Sequence, residues 1–199
     1  MLALAALAWS IAAVAMTALW AWQRRARNAG IATAMWPAVV GTLAVLYASL
    51  GDGAWMRRSA IAWMMGSWGA RLAVQGIYTR AARGPDEADE ADGGRPFWFF
   101  QALAAAAVVA SSPALLASLN RDSNFSAIEL AACALWAVGF AGETTADRQR
   151  LRFTSNPANE GLPCRIGLWR HSRYADRVFE ALIWVAYAIF GLSSMLGRF

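Results

Sequence analysis

The sequence has few of the residues that build metal sites and disulfides. It contains one histidine and two cysteines, and none of its eighteen basic residues is lysine. Because zinc and haem need clustered histidine or cysteine ligands, we expect no metal site. Cys133 falls in an apolar segment and Cys164 in a polar one. We therefore expect them to lie at different depths and not to form a disulfide.

Charged residues are also scarce. They make up 16% of the chain, hydrophobic residues make up 58%, and the first 22 residues carry no charge. This composition is unusual for a soluble domain and typical of an integral membrane protein. The first arginines follow the opening apolar stretch, which favours a retained span over a cleaved signal peptide. The arginines are dispersed among apolar segments, so we predict no nucleic-acid partner.

Apolar segments alternate with short polar ones along the chain. They predict an all-α fold, a polytopic transmembrane helical bundle forming a single domain over residues 1–199. We expect about six spans, at residues 2–22, 31–50, 59–78, 97–119, 127–146 and 178–197. Segments 23–30, 79–96 and 147–177 would lie on one side of the membrane and contain three, three and seven arginines. The other side would have four: Arg57, Arg58, Arg121 and Arg198. Because arginine-rich short loops stay in the cytoplasm, we expect the amino terminus outside.

Several local patterns predict structure rather than chemistry. The GDG sequence at 51–53 predicts a tight turn, because glycine tolerates the backbone angles that turns require. Residues 84–96 form an acidic linker that we expect to be solvated. Ser126 and Glu129 match a capping box. Arg71 lies within an apolar segment, where either an anion contact or a structural pair is expected.

The polar stretch from Glu143 to Glu180 is the best candidate for a functional site. Glu143 and Asp147 are four residues apart, so both carboxylates leave one helix face and could hold ribose hydroxyls. Seven arginines follow within residues 147–177 and could bind phosphate, although they could instead serve only to orient the spans. Glu180 opens the last apolar segment, where acids are often functional.

Several sequence blocks in this region resemble a known family. GETTADRQRLRF, NPANEGLPCRIGLWRHSR, WGARL and RPFWFFQAL look like the DUF1295 membrane proteins, which are similar to the steroid 5-alpha-reductase C-terminal domain. The resemblance covers about residues 57–190. It implies a helical bundle that binds NADPH from the cytoplasmic side. It also implies hydride transfer to a carbon–carbon double bond conjugated to a carbonyl, in a hydrophobic enone lipid.

The resemblance assigns roles to particular residues. It implies cofactor binding by Glu143, Asp147, Gln149, Trp169, Arg170, Ser172 and Arg173, and a catalytic position near the reacting centre for Glu180. Family members commonly continue Ser-Arg with His-Pro-Asn-Tyr, where this chain has Tyr174, Ala175, Asp176 and Arg177. His171 is displaced by three positions and does not match the family histidine. Relatives usually continue beyond the position of Phe199, so we expect a more open nucleotide site here.

The resemblance leaves three functions to compare. An active protein would be an NADPH-dependent oxidoreductase acting on a hydrophobic small molecule. The alternative is a catalytically degenerate relative that acts as a non-enzymatic membrane protein. A third possibility is an enzyme like the isoprenylcysteine methyltransferases, which use S-adenosylmethionine. We expect the chain to lie in the bilayer of a bacterial cytoplasmic (inner) membrane.

Overall fold

A computed structural model describes residues 2–26, 31–83 and 95–196. Throughout these ranges the regular structure is helical, with no strand, which confirms the all-α prediction. The helices are α1 Leu2–Ala26, α2 Ile31–Leu50, α3 Trp55–Arg83, α4 Phe97–Ala110, α5 Ser112–Ala117, α6 Ala127–Thr154 and α7 Ala175–Leu196. Most of the predicted acidic linker, residues 84–94, lies outside the described residues.

Four helical segments are long and apolar enough to cross a membrane. They are Leu2–Arg25, Phe97–Ala117, Ala127–Thr154 and Ala175–Ser194. A shorter apolar helix covers Ala34–Leu50. The predicted segment at 59–78 belongs to the longer helix α3, which carries Arg57, Arg58 and the half-buried Arg71. The protein is therefore a helical membrane protein with at least four segments of spanning length, and the predicted six spans stay a prediction.

Helices α1 to α5 belong to one compact unit, which extends to Ser123. Within it, α2 and α3 approach through glycines. A Cβ atom at Gly69 would lie 2.3 Å from the Pro37 carbonyl oxygen, and one at Gly41 would lie 3.0 Å from the Met65 carbonyl oxygen. Small residues let apolar helices pack at short distance, and the attraction in lipid comes from this close packing.

The GDG segment connects α2 to α3, but its glycines serve a different purpose from the predicted one. Positive φ angles among the described residues occur at Gly161 and Gly167, not at Gly51 or Gly53. A Cβ atom at Gly51 would instead lie 2.5 Å from the Ser118 carbonyl oxygen, and Gly53 N–H donates to the same oxygen at 2.9 Å. Glycine is required here because two backbones approach closely, so the reason predicted from turn angles was wrong.

Arg57 and Arg58 lie on the side predicted to carry few positive charges, and the structure gives them local partners. Arg57 is buried and donates to the backbone carbonyl of Asp122. Arg58 donates to the carbonyls of Ala48 and Gly51, at the end of α2. Cations are stabilised by the free carbonyls at a helix carboxyl terminus. These two arginines therefore have a structural role that does not depend on topology.

Helices α6 and α7 form a second compact unit, Asn124–Leu196, and pair as an antiparallel hairpin. A Cβ atom at Gly142 would lie 2.2 Å from the Phe179 ring, and one at Gly139 would lie 2.8 Å from the Ile183 side chain. At the other end of the pair, Ser194 donates to Glu129 at 2.9 Å. The hairpin is therefore held by close contact between helices and by a buried hydrogen bond.

The predicted capping box begins α6 and is confirmed. The backbone N–H of Ser126 donates to the Glu129 carboxylate at 2.8 Å, and that of Glu129 donates to the Ser126 hydroxyl at 3.2 Å. These two bonds satisfy backbone donors that have no partner within the helix. Glu129 is buried and also accepts from Ser194, so one carboxylate begins α6 and joins it to α7.

Candidate functional site

A cavity of about 940 Å³ lies in the second unit, where α6 ends and α7 begins. Residues 155–174, here called the connecting segment, join the two helices and form much of its wall. Five arginines line the cavity: Arg150, Arg165, Arg170, Arg173 and Arg177. Cys164, Trp169 and Tyr174 are among the other lining side chains. The predicted site region therefore does enclose a concave surface with a basic wall.

The connecting segment has a definite conformation that its own residues explain. It contains two 3₁₀ turns, Pro157–Asn159 and Gly167–Arg170. Gly161 and Gly167 have φ angles of 74° and 53°, in the left-handed region that side chains other than glycine rarely adopt. These two glycines therefore permit the reversals that bring the segment back toward α6.

Gln149 holds the second turn against α6. Its side-chain oxygen accepts a hydrogen bond from the backbone N–H of Leu168 at 2.8 Å. A Cβ atom at Gly167 would lie 2.4 Å from the same amide group. Gln149 can therefore keep this position only when residue 167 is glycine. Gln149 was predicted to bind cofactor, and the structure gives it a contact that positions the cavity wall.

Trp169 is the apolar anchor of the site. Its side chain is buried, with 8% exposure, and packs in a cluster with Ala146 and Ala175. The indole N–H donates to the Ala146 carbonyl at 2.8 Å. On the cavity side, the Arg150 guanidinium carbon lies 5.5 Å from the centre of the ring. This geometry allows a cation–π contact, so Trp169 both fixes the segment and orients one arginine.

The arginines of the cavity differ in their partners. Arg150 lies 3.7 Å from an Asp176 carboxylate oxygen, and Arg177 lies 3.8 Å from one of Glu180. Long, solvent-exposed pairs of this kind contribute little. Among the residues that the structure describes, no carboxylate pairs with Arg165, Arg170 or Arg173. The wall therefore carries more positive than negative charge, and it presents several guanidinium groups to a common space.

The eight residues predicted for the site fall into two groups. Trp169, Arg170, Ser172 and Arg173 line the cavity. Glu143, Asp147, Gln149 and Glu180 are not part of its lining. Glu143 is 4% exposed on α6, and Asp147 lies half-buried one turn later. Glu180 is paired with Arg177. The structure thus brings the predicted arginines Arg170 and Arg173 together in the cavity wall, and none of the predicted acids is part of that wall.

Arg150 has a larger part in the site than sequence reasoning gave it. Arg148, Arg150 and Arg152 alternate with other residues near the end of α6, and Arg150 alone of the three lines the cavity. Residues 146 and 150 are four apart and share one helix face, while residues 148 and 152 lie on others. Helical spacing from Ala146 could have selected Arg150, but only once Ala146 was known to face Trp169.

The four residues that replace the expected His-Pro-Asn-Tyr sequence have structural contacts of their own. Ala175 is buried at the start of α7. Asp176 pairs with Arg150, and Arg177 pairs with Glu180. Tyr174 is exposed on the cavity wall. In this chain the block therefore links α7 to α6 at the edge of the cavity.

The described residues contain no cluster of three or more His, Cys, Asp and Glu side chains that could hold a metal ion. The polar side chains that line the cavity are instead five guanidinium groups, the hydroxyls of Thr154, Ser172 and Tyr174, the Cys164 thiol, the His171 imidazole and one carboxylate, that of Asp176. Guanidinium groups match the geometry of phosphate and carboxylate oxygens. The site is thus suited to an organic anion.

Comparison with known proteins gives one match. A family model described as "Protein of unknown function (DUF1295)" matches residues 19–198, a longer range than the predicted 57–190. No curated protein and no solved structure matches the chain.

Proposed function

The chain belongs to the DUF1295 family, and we propose that it is a membrane-embedded reductase that uses NADPH to reduce a hydrophobic enone lipid. The observation that carries this proposal is the cavity at the end of the α6–α7 hairpin. Arg165, Arg170 and Arg173 share its wall and pair with no carboxylate among the described residues. A polyanionic ligand would balance that charge.

A nucleotide cofactor fits the donor set of the cavity. Its phosphates suit the planar, always-charged guanidinium groups of Arg170 and Arg173. The cavity volume of about 940 Å³ is at the upper end of the range for ligand pockets, as a dinucleotide requires. Trp169 and Gln149 would support this binding indirectly, because each holds the segment that carries these arginines against α6. When bound, NADPH would supply hydride.

The position of the cavity suits a lipid-soluble substrate. The site lies at one end of two helices that are long and apolar enough to span a membrane. A hydrophobic enone dissolved in the bilayer could approach from the hairpin while a water-soluble cofactor approached from outside the bilayer. Glu180 is one turn into α7 beyond Asp176, near the predicted start of its hydrocarbon-crossing part at residue 178. The family resemblance is what proposes it as the group near the reacting centre.

Calorimetry with NADPH tests the proposal directly. The purified full chain should bind the cofactor, and Arg173→Ala should weaken binding by about 1 to 3 kcal/mol, the range for a charge-assisted hydrogen bond. Arg148→Ala is the matched control, because Arg148 is an exposed arginine of α6 that does not line the cavity. The control should bind like the parent. Absence of binding by the parent at millimolar NADPH would contradict the proposal.

Protection of a cysteine from a thiol reagent is a second test of NADPH binding, and it does not require catalytic turnover. Cys164 lines the cavity and Cys133 does not. In a Cys133→Ala background, saturating NADPH should slow modification of Cys164 by a soluble thiol reagent. Equal rates with and without cofactor would mean that NADPH binds elsewhere.

A non-enzymatic membrane protein is the second candidate function. Two observations on Glu180 favour this function: the residue pairs with Arg177, and it does not line the cavity. NADPH binding without any enone-dependent oxidation across lipid-soluble substrates would support this alternative. Preferential binding of S-adenosylmethionine in the same calorimetry would instead favour a methyltransferase.

A further inference from the structure

The connecting segment exposes large apolar side chains beside its arginines. Leu162, Ile166 and Tyr174 are 59%, 45% and 69% exposed. Arg165 lies between the first two and is also exposed. Single apolar residues on a protein surface are ordinary, but here three of them border a basic cluster next to membrane-spanning helices. Such a mixture is typical of segments that lie at a membrane surface.

Packing places Leu162 and Ile166 near the predicted end of the hydrocarbon-crossing part of α6. Cys164 packs against the cluster of Ala146, Trp169 and Ala175. Ala146 ends the predicted hydrocarbon-crossing part of α6, and Ala175 begins α7. Since an extended chain advances at most about 3.6 Å per residue, residues two positions from Cys164 lie within about 7 Å of it. Leu162 and Ile166 therefore lie close to the predicted edge of the hydrocarbon.

The charge of the segment selects the kind of lipid. Arg165 and Arg173 are exposed, and no carboxylate of the described residues pairs with either. Arginines next to a bilayer extend their guanidinium groups toward headgroup phosphates. An anionic leaflet attracts each such residue by an amount that corresponds to about a fivefold gain in affinity. Neutral headgroups offer no comparable net attraction.

We infer that residues 162–174 dock onto anionic phospholipid of the leaflet at this end of the α6–α7 hairpin. Leu162 and Ile166 insert among the upper parts of the acyl chains, and Arg165 and Arg173 contact lipid phosphates. Tyr174 lies at the headgroup level, where tyrosine is commonly found. Leu162, Arg165, Arg173 and Tyr174 also line the cavity, so the inference concerns the nucleotide-free protein and is tested without NADPH.

Depth-dependent fluorescence quenching tests this inference on the full chain. In a Cys133→Ala/Cys164→Ala background, a fluorophore is attached to one new cysteine. The variants are Leu162→Cys, Ile166→Cys and, as the control, Ala158→Cys. Ala158 is exposed on the same segment, so a fluorophore that inserted by itself would do so at all three positions. In vesicles containing phosphatidylglycerol, spin-labelled lipid should quench the probe at 162 and 166 more strongly than at 158.

Lipid charge provides the second arm of the experiment. Quenching at 162 and 166 should fall in pure phosphatidylcholine vesicles and in the Arg165→Gln/Arg173→Gln variant. Affinity for the anionic surface should drop about fivefold for each arginine removed. Quenching at 162 and 166 that equals the control at 158, or that does not depend on lipid charge, would overturn the inference.

Hydrogen exchange on the unmodified chain covers the case in which the cysteine variants do not fold. Amides of residues 162–174 should exchange more slowly in phosphatidylglycerol vesicles than in phosphatidylcholine vesicles. Soluble glycerol phosphate, added to the phosphatidylcholine sample at the same phosphate concentration, should not reproduce this protection. If it does, or if exchange is the same in both lipids, the arginines do not recognise the membrane surface.

Discussion

Replacing Gly167 by alanine should open the cavity wall, because it strains the backbone and removes a hydrogen bond. The residue has a φ angle of 53°, and the left-handed region costs other residues about 1 to 2 kcal/mol. The new Cβ would lie 2.4 Å from the Gln149 amide. Gln149 is flexible and can move, but it then loses its bond to Leu168, worth about 0.5 to 1.5 kcal/mol. The combined cost is about 1.5 to 3.5 kcal/mol.

Gly161 provides a matched control within the same segment. Its φ angle is 74°, and nothing lies within 4 Å of the Cβ atom that alanine would add. Gly161→Ala should therefore cost only the backbone strain, about 1 to 2 kcal/mol. A larger effect at Gly167 than at Gly161 would measure the contact with Gln149.

Amide hydrogen exchange in detergent measures both costs as local opening. The Leu168 amide donates to Gln149, and the Leu162 amide donates to the Asn159 carbonyl at 3.0 Å. Since 1.4 kcal/mol corresponds to tenfold in an equilibrium constant, Gly161→Ala should speed exchange at Leu162 by about five- to thirtyfold. Gly167→Ala should speed exchange at Leu168 by about ten- to several-hundredfold.

A double-mutant cycle decides whether the two effects at Gly167 are linked. In a Gln149→Ala background the close contact no longer exists, so Gly167→Ala should cost only the backbone strain seen at Gly161. Exchange is read in both backgrounds at the Trp169 amide, which donates to the Ile166 carbonyl at 3.1 Å and does not use Gln149. The reasoning is refuted if Gly167→Ala accelerates exchange equally in the presence and absence of the Gln149 side chain. Gln149 would then not be what requires glycine at this position.

Three further outcomes follow from the packing, the helix cap and the charge distribution. Gly142→Ala should lower the thermal stability by about 1 to 3 kcal/mol, because its Cβ would overlap the Phe179 ring at 2.2 Å. Gly66→Ala, whose Cβ would be in ordinary contact at 3.4 Å, should be neutral or stabilising by about 0.5 to 1 kcal/mol; equal melting temperatures would contradict this difference. Ser126→Ala should cost about 1 kcal/mol by removing the α6 cap, and unchanged thermal unfolding in detergent would count against it. A topology reporter should be periplasmic after Phe199 and cytoplasmic when inserted at Ala158, and the reverse pattern would disprove the predicted orientation.

The helices and their caps were predictable because the signals are local. Hydropathy is read within one segment, and the Ser126–Glu129 box spans four consecutive residues. Helix ends were less predictable. The apolar part of α6 was expected to stop near residue 146, yet the helix continues to Thr154. Residues 147–154 are mostly polar but suit a helix, so the predicted edge of the hydrocarbon and the end of the helix fall at different places.

The site could be predicted only in part, because its contacts join residues that are distant in the sequence. The sequence showed seven arginines within residues 147–177, and four of the residues predicted for the site do line the cavity. The roles of Gln149 and Trp169 were not visible, since their partners, Leu168 and Ala146, are nineteen and twenty-three residues away. Those partners are brought near by the reversals of the connecting segment at Gly161 and Gly167.

This division would let the site keep its shape while the residues at its rim change. Trp169 and Gln149 bond to backbone groups, and those bonds depend on backbone position rather than on neighbouring side chains. The residues at the position of the expected His-Pro-Asn-Tyr sequence form side-chain pairs at the rim, Asp176 with Arg150 and Arg177 with Glu180. Rim pairs that are long and exposed add little stability, so the rim can change without loss of the fold. We therefore expect substitutions at Asp176 and Arg177 to alter ligand affinity more than stability, and substitutions at Trp169 to alter both.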